Sequence, residues 1–326
     1  MESHPLLSIR DLYVHFLTLR GTVRAVNGVH FTVREGETIG IVGESGCGKT
    51  ITGLSILRLI PRPAGRIARG EIEFDGKNLL LLPEPEMRKI RGNQISMIFQ
   101  DPMTSLNPCY SVGNQLGEVF RLHRKELRRD EIRDRCVELL KLVEIPMPEL
   151  RLRQYPHELS GGMRQRIMIA SAIACRPRIL IADEPTTALD VTIQAQILEL
   201  IHKLREEVNT SVLLITHNLG LMAENADRVV VMYAGRIVEQ GPVDEVINHA
   251  VHPYTQGLFR SIPRMTKDFK EMKQRLIEIP GVVPNLLTLP RGCAFAPRCS
   301  KRRAICDQQE PERVEVGPHH DVWCAL

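Results

Sequence analysis

Short apolar runs alternate with stretches of helical periodicity along much of the chain. The runs at residues 38–42, 95–99, 178–182, 211–216 and 228–233 are short and continuous, which is typical of buried strands. The stretches at residues 51–60, 191–208 and 219–226 have the length and apolar spacing of helices. Because strands that alternate with helices form βαβ units, this order predicts an α/β fold with a mainly parallel sheet covered on both faces.

Three parts of the chain follow other patterns. Residues 7–33 alternate around a Gly21-Thr22 turn, and residues 71–76 alternate and end on Asp-Gly, so both predict β-structure. Residues 112–156 are charged and helix-periodic with proline breaks, which predicts a helical insertion in the α/β domain. From residue 263 the chain is rich in proline and basic residues, which predicts a separate C-terminal appendage.

A glycine-rich turn between a predicted strand and a predicted helix carries a phosphate-binding pattern. Its residues fit G-x-x-x-x-G-K-[ST] and are Gly43, Glu44, Ser45, Gly46, Cys47, Gly48, Lys49 and Thr50. The glycines let backbone N–H groups curl around phosphate oxygens, and the helix that continues from Ile51 adds partial positive charge. We expect Lys49 to reach the terminal phosphates of a nucleoside triphosphate and Thr50 to hold Mg²⁺. The alternative is a chance glycine turn, which the flanking strand and helix disfavour.

The cysteine in this turn has an expected chemistry of its own. Cys47 lies at a predicted helix N-terminus, where partial positive charge lowers the pKa of a thiol. This position predicts that bulky thiol reagents block nucleotide hydrolysis and that ATP protects against them.

Two further segments have the character of nucleotide-site elements. The apolar strand at residues 179–182 delivers Asp183 and Glu184 at its carboxyl end, where ligands bind in open α/β sheets. We expect Asp183 to contact Mg²⁺ and Glu184 to orient or deprotonate the attacking water, the alternative being a solvated acidic turn. Ser160, Gly161 and Gly162 precede a helix and predict either simple capping or a second phosphate-facing helix N-terminus.

Composition narrows the class of protein. The chain has 326 residues, a formal net charge of +4, one Trp and five Tyr, so neither a strong basic surface nor an aromatic platform for nucleic acid is indicated. No apolar stretch approaches the roughly 20 residues of a membrane span, and the N-terminus lacks a signal-peptide pattern. We therefore expect a cytosolic chain whose membrane association comes through a partner.

Four of the eight cysteines crowd the C-terminal segment. They are Cys293, Cys299, Cys306 and Cys324, with the spacing C-x5-C-x6-C-x17-C. This spacing lacks the paired C-x2-C of many zinc sites, and by itself it leaves a [4Fe–4S] cluster, zinc and free or disulfide-bonded thiols open. The nearby basic residues predict a solvated face or, less simply, contact with a membrane subunit or acidic lipid; they are Arg291, Arg298, Lys301, Arg302 and Arg303.

With these motifs, residues 1 to about 250 resemble the ATP-binding cassette (ABC) family. Gly43 to Thr50 match its Walker A motif, and Gln100 in Phe-Gln-Asp-Pro matches its Q-loop glutamine. Residues 159–163, Leu-Ser-Gly-Gly-Met, match the signature motif, with Met163 where glutamine is usual. Further matches, in the family's order, are the Walker B Asp183 and Glu184, the D-loop Ala188-Leu189-Asp190 and the switch His217.

Five segments resemble one branch of this family in particular. The full phosphate turn, residues 99–108 and residues 183–192 look like those of the ATPases of dipeptide and oligopeptide importers. So do His252-Pro253-Tyr254-Thr255 and the cysteine-bearing C-terminus, for which the branch implies a [4Fe–4S] cluster on Cys293, Cys299, Cys306 and Cys324. The branch also implies import of peptides, with nickel chelates or glutathione as alternative cargoes.

The resemblance implies an architecture and a set of roles. Residues 1–250 would form the cassette domain, with a mixed sheet, an antiparallel β subdomain and a helical subdomain at about residues 101–165; residues 251–326 would form a small loop-rich metal-binding extension. Thr50, Gln100 and Asp183 would hold Mg²⁺, while Glu184 and His217 would serve catalysis. Ser160, Gly161, Gly162 and Asp190 would face the ATP of a second cassette subunit.

The same resemblance implies the partners and the location. The chain would pair with a related ATPase subunit as a heterodimer beneath two membrane-spanning permease subunits, on the cytoplasmic face of the membrane. An extracytoplasmic binding protein would deliver peptide to those permeases. Tyr13, Phe16 or Arg20 would stack on adenine. The alternatives are a non-transport cassette ATPase acting on nucleic acid or ribosomes, which the low charge disfavours, and a non-hydrolysing half-site, which Glu184 and His217 disfavour.

Overall fold

The computed structural model describes residues 4–101, 105–187, 190–260 and 279–325, with the side chains of residues 191 and 192 excepted. Within them the strands are β1 (Leu7–Thr18), β2 (Gly21–Val33), β3 (Thr38–Val42), β4 (Gly65–Phe74), β5 (Lys77–Asn78), β6 (Ile95–Ile98), β7 (Ile179–Asp183), β8 (Ser211–Ile215), β9 (Arg228–Tyr233), β10 (Arg236–Pro242), β11 (Arg313–Gly317) and β12 (His320–Trp323).

The α-helices of the described residues fall between these strands and in the C-terminal part. They are α1 (Lys49–Ile56), α2 (Glu84–Ile90), α3 (Val112–His123), α4 (Arg129–Leu142), α5 (Pro148–Arg151), α6 (Gly161–Ile173), α7 (Val191–Val208), α8 (Leu219–Asn225), α9 (Val243–Asn248), α10 (Pro253–Arg260) and α11 (Ile305–Gln308). No described helix is both long enough and apolar enough to span a bilayer.

The chain divides into two compact units. Unit 1 contains Met1–Val33, Thr38–Leu80 and Ile215–Leu326, and unit 2 contains Arg34–Glu37 and Leu81–Leu214. The nucleotide motifs are shared out between them: the phosphate turn and His217 belong to unit 1, whereas Gln100, Ser160 and Glu184 belong to unit 2.

Unit 1 combines two kinds of sheet. β2, β1, β4 and β5 form a four-stranded sheet whose pairings are all antiparallel. β3 pairs in parallel with β9, and β10, β12 and β11 then continue from β9 with antiparallel pairings. The mixed sheet that the family resemblance implied is therefore confirmed, while the mainly parallel sheet inferred from periodicity does not extend beyond β9 in this unit.

The C-terminal segment is built into unit 1 rather than appended to it. β12 pairs with β10 at Glu239 and Gln240. The buried core that contains Tyr233 and Tyr254 also contains Ala294 and Phe295 from the cysteine-bearing segment. Periodicity could not reveal this packing, because a short irregular segment buries side chains without a repeating pattern.

Unit 2 carries the helical part and its own parallel strands. β6 and β7 pair in parallel, and β8 lies next to β7 in the order β8-β7-β6. The predicted helical insertion is present as α3, α4 and α5, with α6 beginning at the predicted signature segment. α3 packs against α4, because Val112, Leu116 and Phe120 bury one face of the helix.

Two predicted boundaries are displaced. The helix after the phosphate turn runs over Lys49–Ile56 instead of residues 51–60, because Gly48 itself begins it in a left-handed conformation. The strand predicted at residues 71–76 begins at Gly65, where β4 extends to pair with Phe16 of β1. The strand is longer than its local sequence signal because β1 pairs with it, whereas the helix starts and ends earlier than its apolar run.

Candidate functional site

The phosphate turn in unit 1 is held in a conformation that depends on its glycines. Gly43 has φ 151° and Gly48 has φ 102°, values that favour glycine. A Cβ at Gly43 would lie 2.2 Å from the carbonyl oxygen of Met232, and one at Gly48 would lie 2.4 Å from that of Ala25. The turn therefore packs directly on backbone of two neighbouring strands, and no other residue type fits at either position.

Lys49 is folded back over this turn. Its side chain is buried, and its Nζ donates hydrogen bonds to the carbonyl oxygens of Gly43 at 2.8 Å and Glu44 at 3.2 Å. These contacts hold the ammonium group beside the backbone that is predicted to curl around phosphate. Thr50 follows in the first turn of α1, half-buried.

Cys47 does not have the lowered thiol pKa that its place at a helix N-terminus predicts. The residue is 1% exposed, and burial raises the pKa of its thiol instead of the helix N-terminus lowering it. Its Sγ lies against Gly43, and its carbonyl accepts a hydrogen bond from the N–H of Gly235 at 3.0 Å. The prediction of a reactive thiol was therefore wrong in its chemistry: the side chain points into the core, where reagents and the helix charge have little effect.

Glu44 in the same turn is engaged by the C-terminal part of unit 1. Its N–H donates to the hydroxyl of Tyr254 at 2.9 Å, and its carboxylate accepts two bonds from Arg298 at 2.7 and 3.0 Å. Arg298 was expected on a solvated face, but the whole residue is only 9% exposed. Nothing in the local sequence could have revealed this pair, because its members are 254 positions apart.

The remaining predicted groups of unit 1 lie on β1 or just after β1 and β8. His217 is exposed just after β8, and Asn218 beside it caps α8 by accepting a bond from the N–H of Leu221. Of the adenine-stacking candidates, Tyr13 and Phe16 lie half-buried on β1, and Arg20 lies in the exposed turn after it.

In unit 2 the structure brings Glu184 and Gln100 together. The Gln100 amide donates to Oε2 of Glu184 at 3.0 Å, and the Thr187 hydroxyl donates to the same oxygen at 2.9 Å. Glu184 has φ 46°, an uncommon value for a side chain of this size. Strained backbone of this kind is concentrated at functional sites, because the surrounding structure has to impose it.

The structure shows how that strained segment is anchored, which sequence reasoning missed. Gln165 of α6 is buried and donates to the carbonyl of Pro185 at 2.6 Å, while Gln194 of α7 donates to that of Thr186 at 3.2 Å. Asp183 ends β7 and is 2% exposed, so its carboxylate lies within the protein. The sequence offers one indication of the role of Gln165, because this polar residue lies among the mostly apolar residues that α6 buries.

The signature segment begins a helix with an open end. Ser160 caps α6 by accepting a hydrogen bond from the N–H of Met163 at 3.3 Å. A Cβ at Gly161 would meet no atom within 4 Å, and Ser160 is exposed. Asp190 caps α7 by accepting from Ile193 at 3.0 Å, whereas Ala188 and Leu189 of the predicted D-loop lie outside the described residues.

The four cysteines of the C-terminal segment line one pocket, which also borders on His252 and Phe295. All four are free thiols. Burial raises the pKa of Cys293, and the neighbouring Cys306 and Cys324 raise it further. Across the described ranges, no three His, Cys, Asp or Glu side chains form a group that could hold one metal ion. The thiols thus share a pocket without being gathered around a single point.

Comparison with known proteins places these motifs in a family. Residues 26–187 match the ABC transporter family model, and residues 238–306 match the oligopeptide/dipeptide transporter C-terminal region. The probable peptide ABC transporter ATP-binding protein y4tR of Sinorhizobium fredii is 52% identical over 99% of this chain and 97% of its own length. The oligopeptide transport ATP-binding protein OppD of Bacillus subtilis is 53% identical over 97% of this chain and 87% of its own length.

Solved structures support the same fold. The dimeric cassette MJ0796, in a post-hydrolysis state bound to ADP and Pi, matches with a TM-score of 0.65 and 28% identity over 73% of this chain and 98% of its own. CbiO1 of Clostridium perfringens, part of the transporter complex cbiONQ, matches with a TM-score of 0.63 and 27% identity over 76% of this chain and 92% of its own. With its Walker A, Walker B and signature segments and its peptide-transporter C-terminal region, the chain belongs to the ABC transporter ATP-binding subunits of the oligopeptide/dipeptide branch.

Proposed function

We propose that this chain is an ATP-hydrolysing subunit of an ABC importer that drives uptake of dipeptides or oligopeptides across the cytoplasmic membrane. The observation that carries the proposal is similarity over almost the whole chain to peptide import proteins. Relatives with that description are 51–54% identical, and the match includes the C-terminal region as well as the cassette. A non-transport cassette ATPase would not be expected to share that region.

The ATP chemistry is assigned to residues whose local geometry suits it. The turn from Gly43 to Thr50, continued by Ile51, binds the phosphates, and Lys49 turns its ammonium from the turn's own carbonyls to phosphate oxygens. Glu184 acts as the base for the attacking water, with its carboxylate fixed by Gln100 and Thr187. His217 senses the γ-phosphate.

Magnesium fits the donor chemistry of the assigned residues. A hydroxyl at Thr50, an amide oxygen at Gln100 and the buried carboxylate of Asp183 are oxygen ligands of the kind that Mg²⁺ prefers. When bound, the ion neutralises charge on the phosphates during transfer.

The signature segment is assigned to the ATP of a second cassette subunit. Ser160, Gly161 and Gly162 begin α6, and Ser160 and Gly161 are exposed. An exposed helix N-terminus favours negative charge, so it suits the phosphates of a nucleotide bound to another chain. Asp190 is assigned to the same contact. ATP bound between the two chains would hold them together, and hydrolysis would release them.

The partners follow from this arrangement. We infer a heterodimer with a related ATPase subunit, two membrane-spanning permeases, and an extracytoplasmic peptide-binding protein that acts through the permeases. The chain would be peripheral, on the cytoplasmic face, with helices α3 to α5 in contact with a permease so that closure moves the transport pathway.

We further propose that Cys293, Cys299, Cys306 and Cys324 hold a [4Fe–4S] cluster with a structural or redox-regulatory role. Four free thiols that line one pocket have the required donor chemistry. Such a cluster would be held by all four thiolates together, and thiols that line one pocket without converging on one point could supply them.

Anaerobic purification tests this assignment. The full-length chain is expected to contain about four iron and four acid-labile sulfide atoms and to absorb in the visible blue. Cys299→Ser should lose the iron and sulfide, whereas Cys109→Ser, which alters an exposed cysteine elsewhere, should retain both. Stoichiometric zinc, or protein without iron and sulfide, would contradict the cluster.

Uptake by cells tests the transport function and the cargo. A strain in which this chain carries Glu184→Gln should fail to accumulate a labelled dipeptide or oligopeptide, and detergent extracts should contain the chain together with membrane permeases. If this strain still takes up peptides but no longer takes up a nickel chelate or glutathione, then that compound, and not peptide, is the cargo. Co-purification with ribosomes or DNA instead of permeases would refute the transport role.

A further inference from the structure

The guanidinium of Arg298 uses every one of its N–H groups within unit 1. Nε donates to the carbonyl of Pro280 at 3.0 Å, and Nη2 donates to that of Ile279 at 3.1 Å. Nη1 donates to the hydroxyl of Tyr233 at 3.3 Å, and both terminal nitrogens donate to the carboxylate of Glu44. Because an arginine side chain has five N–H donors, this environment satisfies all of them and holds the group in one orientation.

The pair with Glu44 is the part of this network that reaches the phosphate turn. Its bonds of 2.7 and 3.0 Å form the two-point contact that a guanidinium makes with a carboxylate. The side chain of Arg298 is 4% exposed and that of Glu44 is 27% exposed, so solvent screens the pair only from one side. An exposed ion pair would contribute little, but this one joins two segments through a largely desolvated contact.

The backbone of Glu44 is fixed from the same side of unit 1. Its N–H is bonded to the hydroxyl of Tyr254, whose ring lies 4.7 Å from that of Tyr233 and 5.4 Å from that of Phe295. The guanidinium of Arg298 lies 5.7 Å from the centre of the Tyr233 ring. Both the main chain and the side chain of Glu44 are therefore attached to one aromatic cluster that includes the cysteine-bearing segment.

The negative charge of Glu44 affects nucleotide binding, because Glu44 belongs to the turn that is proposed to bind phosphate. A carboxylate in a turn that receives a polyphosphate repels the ligand unless a cation neutralises it. Lys49 is assigned to the phosphates and donates only to the backbone carbonyl of Glu44, whereas Arg298 pairs with the Glu44 carboxylate. Without Arg298, the carboxylate would be left charged beside the phosphates and free to change the shape of the turn.

We propose that Arg298 is a positioning residue for ATP binding, which acts by neutralising and holding Glu44 of the phosphate turn. The inference rests on the proposed ATPase function, and it makes the C-terminal segment a working part of the nucleotide site. Arg298 does not touch the reacting atoms in this assignment, so its removal should raise the KM and Kd for MgATP and leave kcat at saturating ATP nearly unchanged.

A double-mutant cycle on the full-length chain tests the proposal, with MgATP binding measured by calorimetry. Arg298→Met is expected to weaken binding about tenfold, since it strands one carboxylate beside the phosphates. Glu44→Gln alone is measured as the reference for the second arm of the cycle, because its amide oxygen can still accept a bond from Arg298. Adding Glu44→Gln to Arg298→Met should restore most of the lost affinity, because the unneutralised charge is then gone.

Arg302→Met is the matched control. Arg302 lies in the same segment and pairs with Asp307, but its side chain is 51% exposed, so its removal should leave MgATP binding unchanged. Thermal melting shows whether Arg298→Met is folded. If it is not folded, MgATP binding is measured with Arg298→Lys instead. We expect a smaller loss of affinity for that variant, which Glu44→Gln again relieves.

Two results would overturn the inference. One is a folded Arg298→Met chain that binds MgATP as Arg302→Met does. The other is a loss of affinity that Glu44→Gln fails to relieve, since a merely structural role would not respond to the charge at residue 44. Failure of the wild-type chain to bind MgATP at all would instead refute the proposed function.

Discussion

Replacing Glu184 by glutamine is expected to lower ATP turnover by about 100- to 10,000-fold, the range over which a general base accelerates proton transfer. MgATP binding should persist. Gln100 and Thr187 both donate to a single oxygen of Glu184, so the amide oxygen of glutamine can accept both bonds. The substitution therefore removes the base and preserves the geometry, and steady-state hydrolysis together with calorimetry separates the two effects.

A matched control distinguishes this loss from a general effect of removing a carboxylate. Glu138→Gln changes a carboxylate that pairs with Arg135 on the surface of unit 2, and it should hydrolyse ATP at the wild-type rate. Turnover by Glu184→Gln close to that of Glu138→Gln would remove Glu184 from the role of base.

Replacing Lys49 by alanine is expected to weaken MgATP binding by about 10- to 100-fold, the equivalent of losing charge-assisted hydrogen bonds to phosphate. The ammonium is buried beside the turn, bonded to the carbonyls of Gly43 and Glu44. Alanine leaves those carbonyls without this donor and the turn without its cation. Calorimetric titration with MgATP measures the loss directly, with thermal melting to confirm that the chain is folded.

The control for Lys49 is a lysine outside the site. Lys77 lies exposed on β5 of the same unit, and Lys77→Ala should bind MgATP as the wild type does. Equal affinities for the two variants would show that Lys49 does not contact phosphate. Arginine at residue 49 is also expected to fail, because a planar guanidinium does not replace a compact ammonium in a buried turn.

The sequence predicted those parts of the site that are coded locally. A buried strand, a glycine turn and a helix lie next to one another in the chain, so the phosphate turn and its lysine could be assigned from spacing alone. The segment at Asp183 and Glu184 follows a strand in the same way. In both cases the elements lie within one or two residues of their expected positions at the site itself.

The misjudged residues depend on direction or on distant contacts. Cys47 lies near a helix N-terminus as expected, but its side chain turns inward, and burial outweighs the helix charge on its pKa. Arg298 is surrounded by basic residues in sequence, yet its partners are Glu44, Tyr233 and two carbonyls that come together only in the folded unit. Neither orientation nor pairing over such a separation leaves a periodic signal.

Whether Ser160 contacts the nucleotide of its own chain or that of a partner cassette can be measured directly. In a chain that carries Glu184→Gln, we measure MgATP affinity of the isolated chain and its ATP-dependent association with the co-expressed partner cassette. Ser160→Arg places a bulky cation at the exposed start of α6 and costs about 1 kcal/mol of helix capping. Ser160→Thr, which retains a capping hydroxyl, is the control for folding.

Ser160→Arg is expected to abolish the ATP-dependent association and to leave the chain's own MgATP affinity within about twofold, because Lys49 and Ser160 act on different nucleotides. Loss of MgATP affinity by the isolated chain, with Ser160→Thr unaffected, would contradict it. That result would mean that Ser160 serves the nucleotide bound by its own chain.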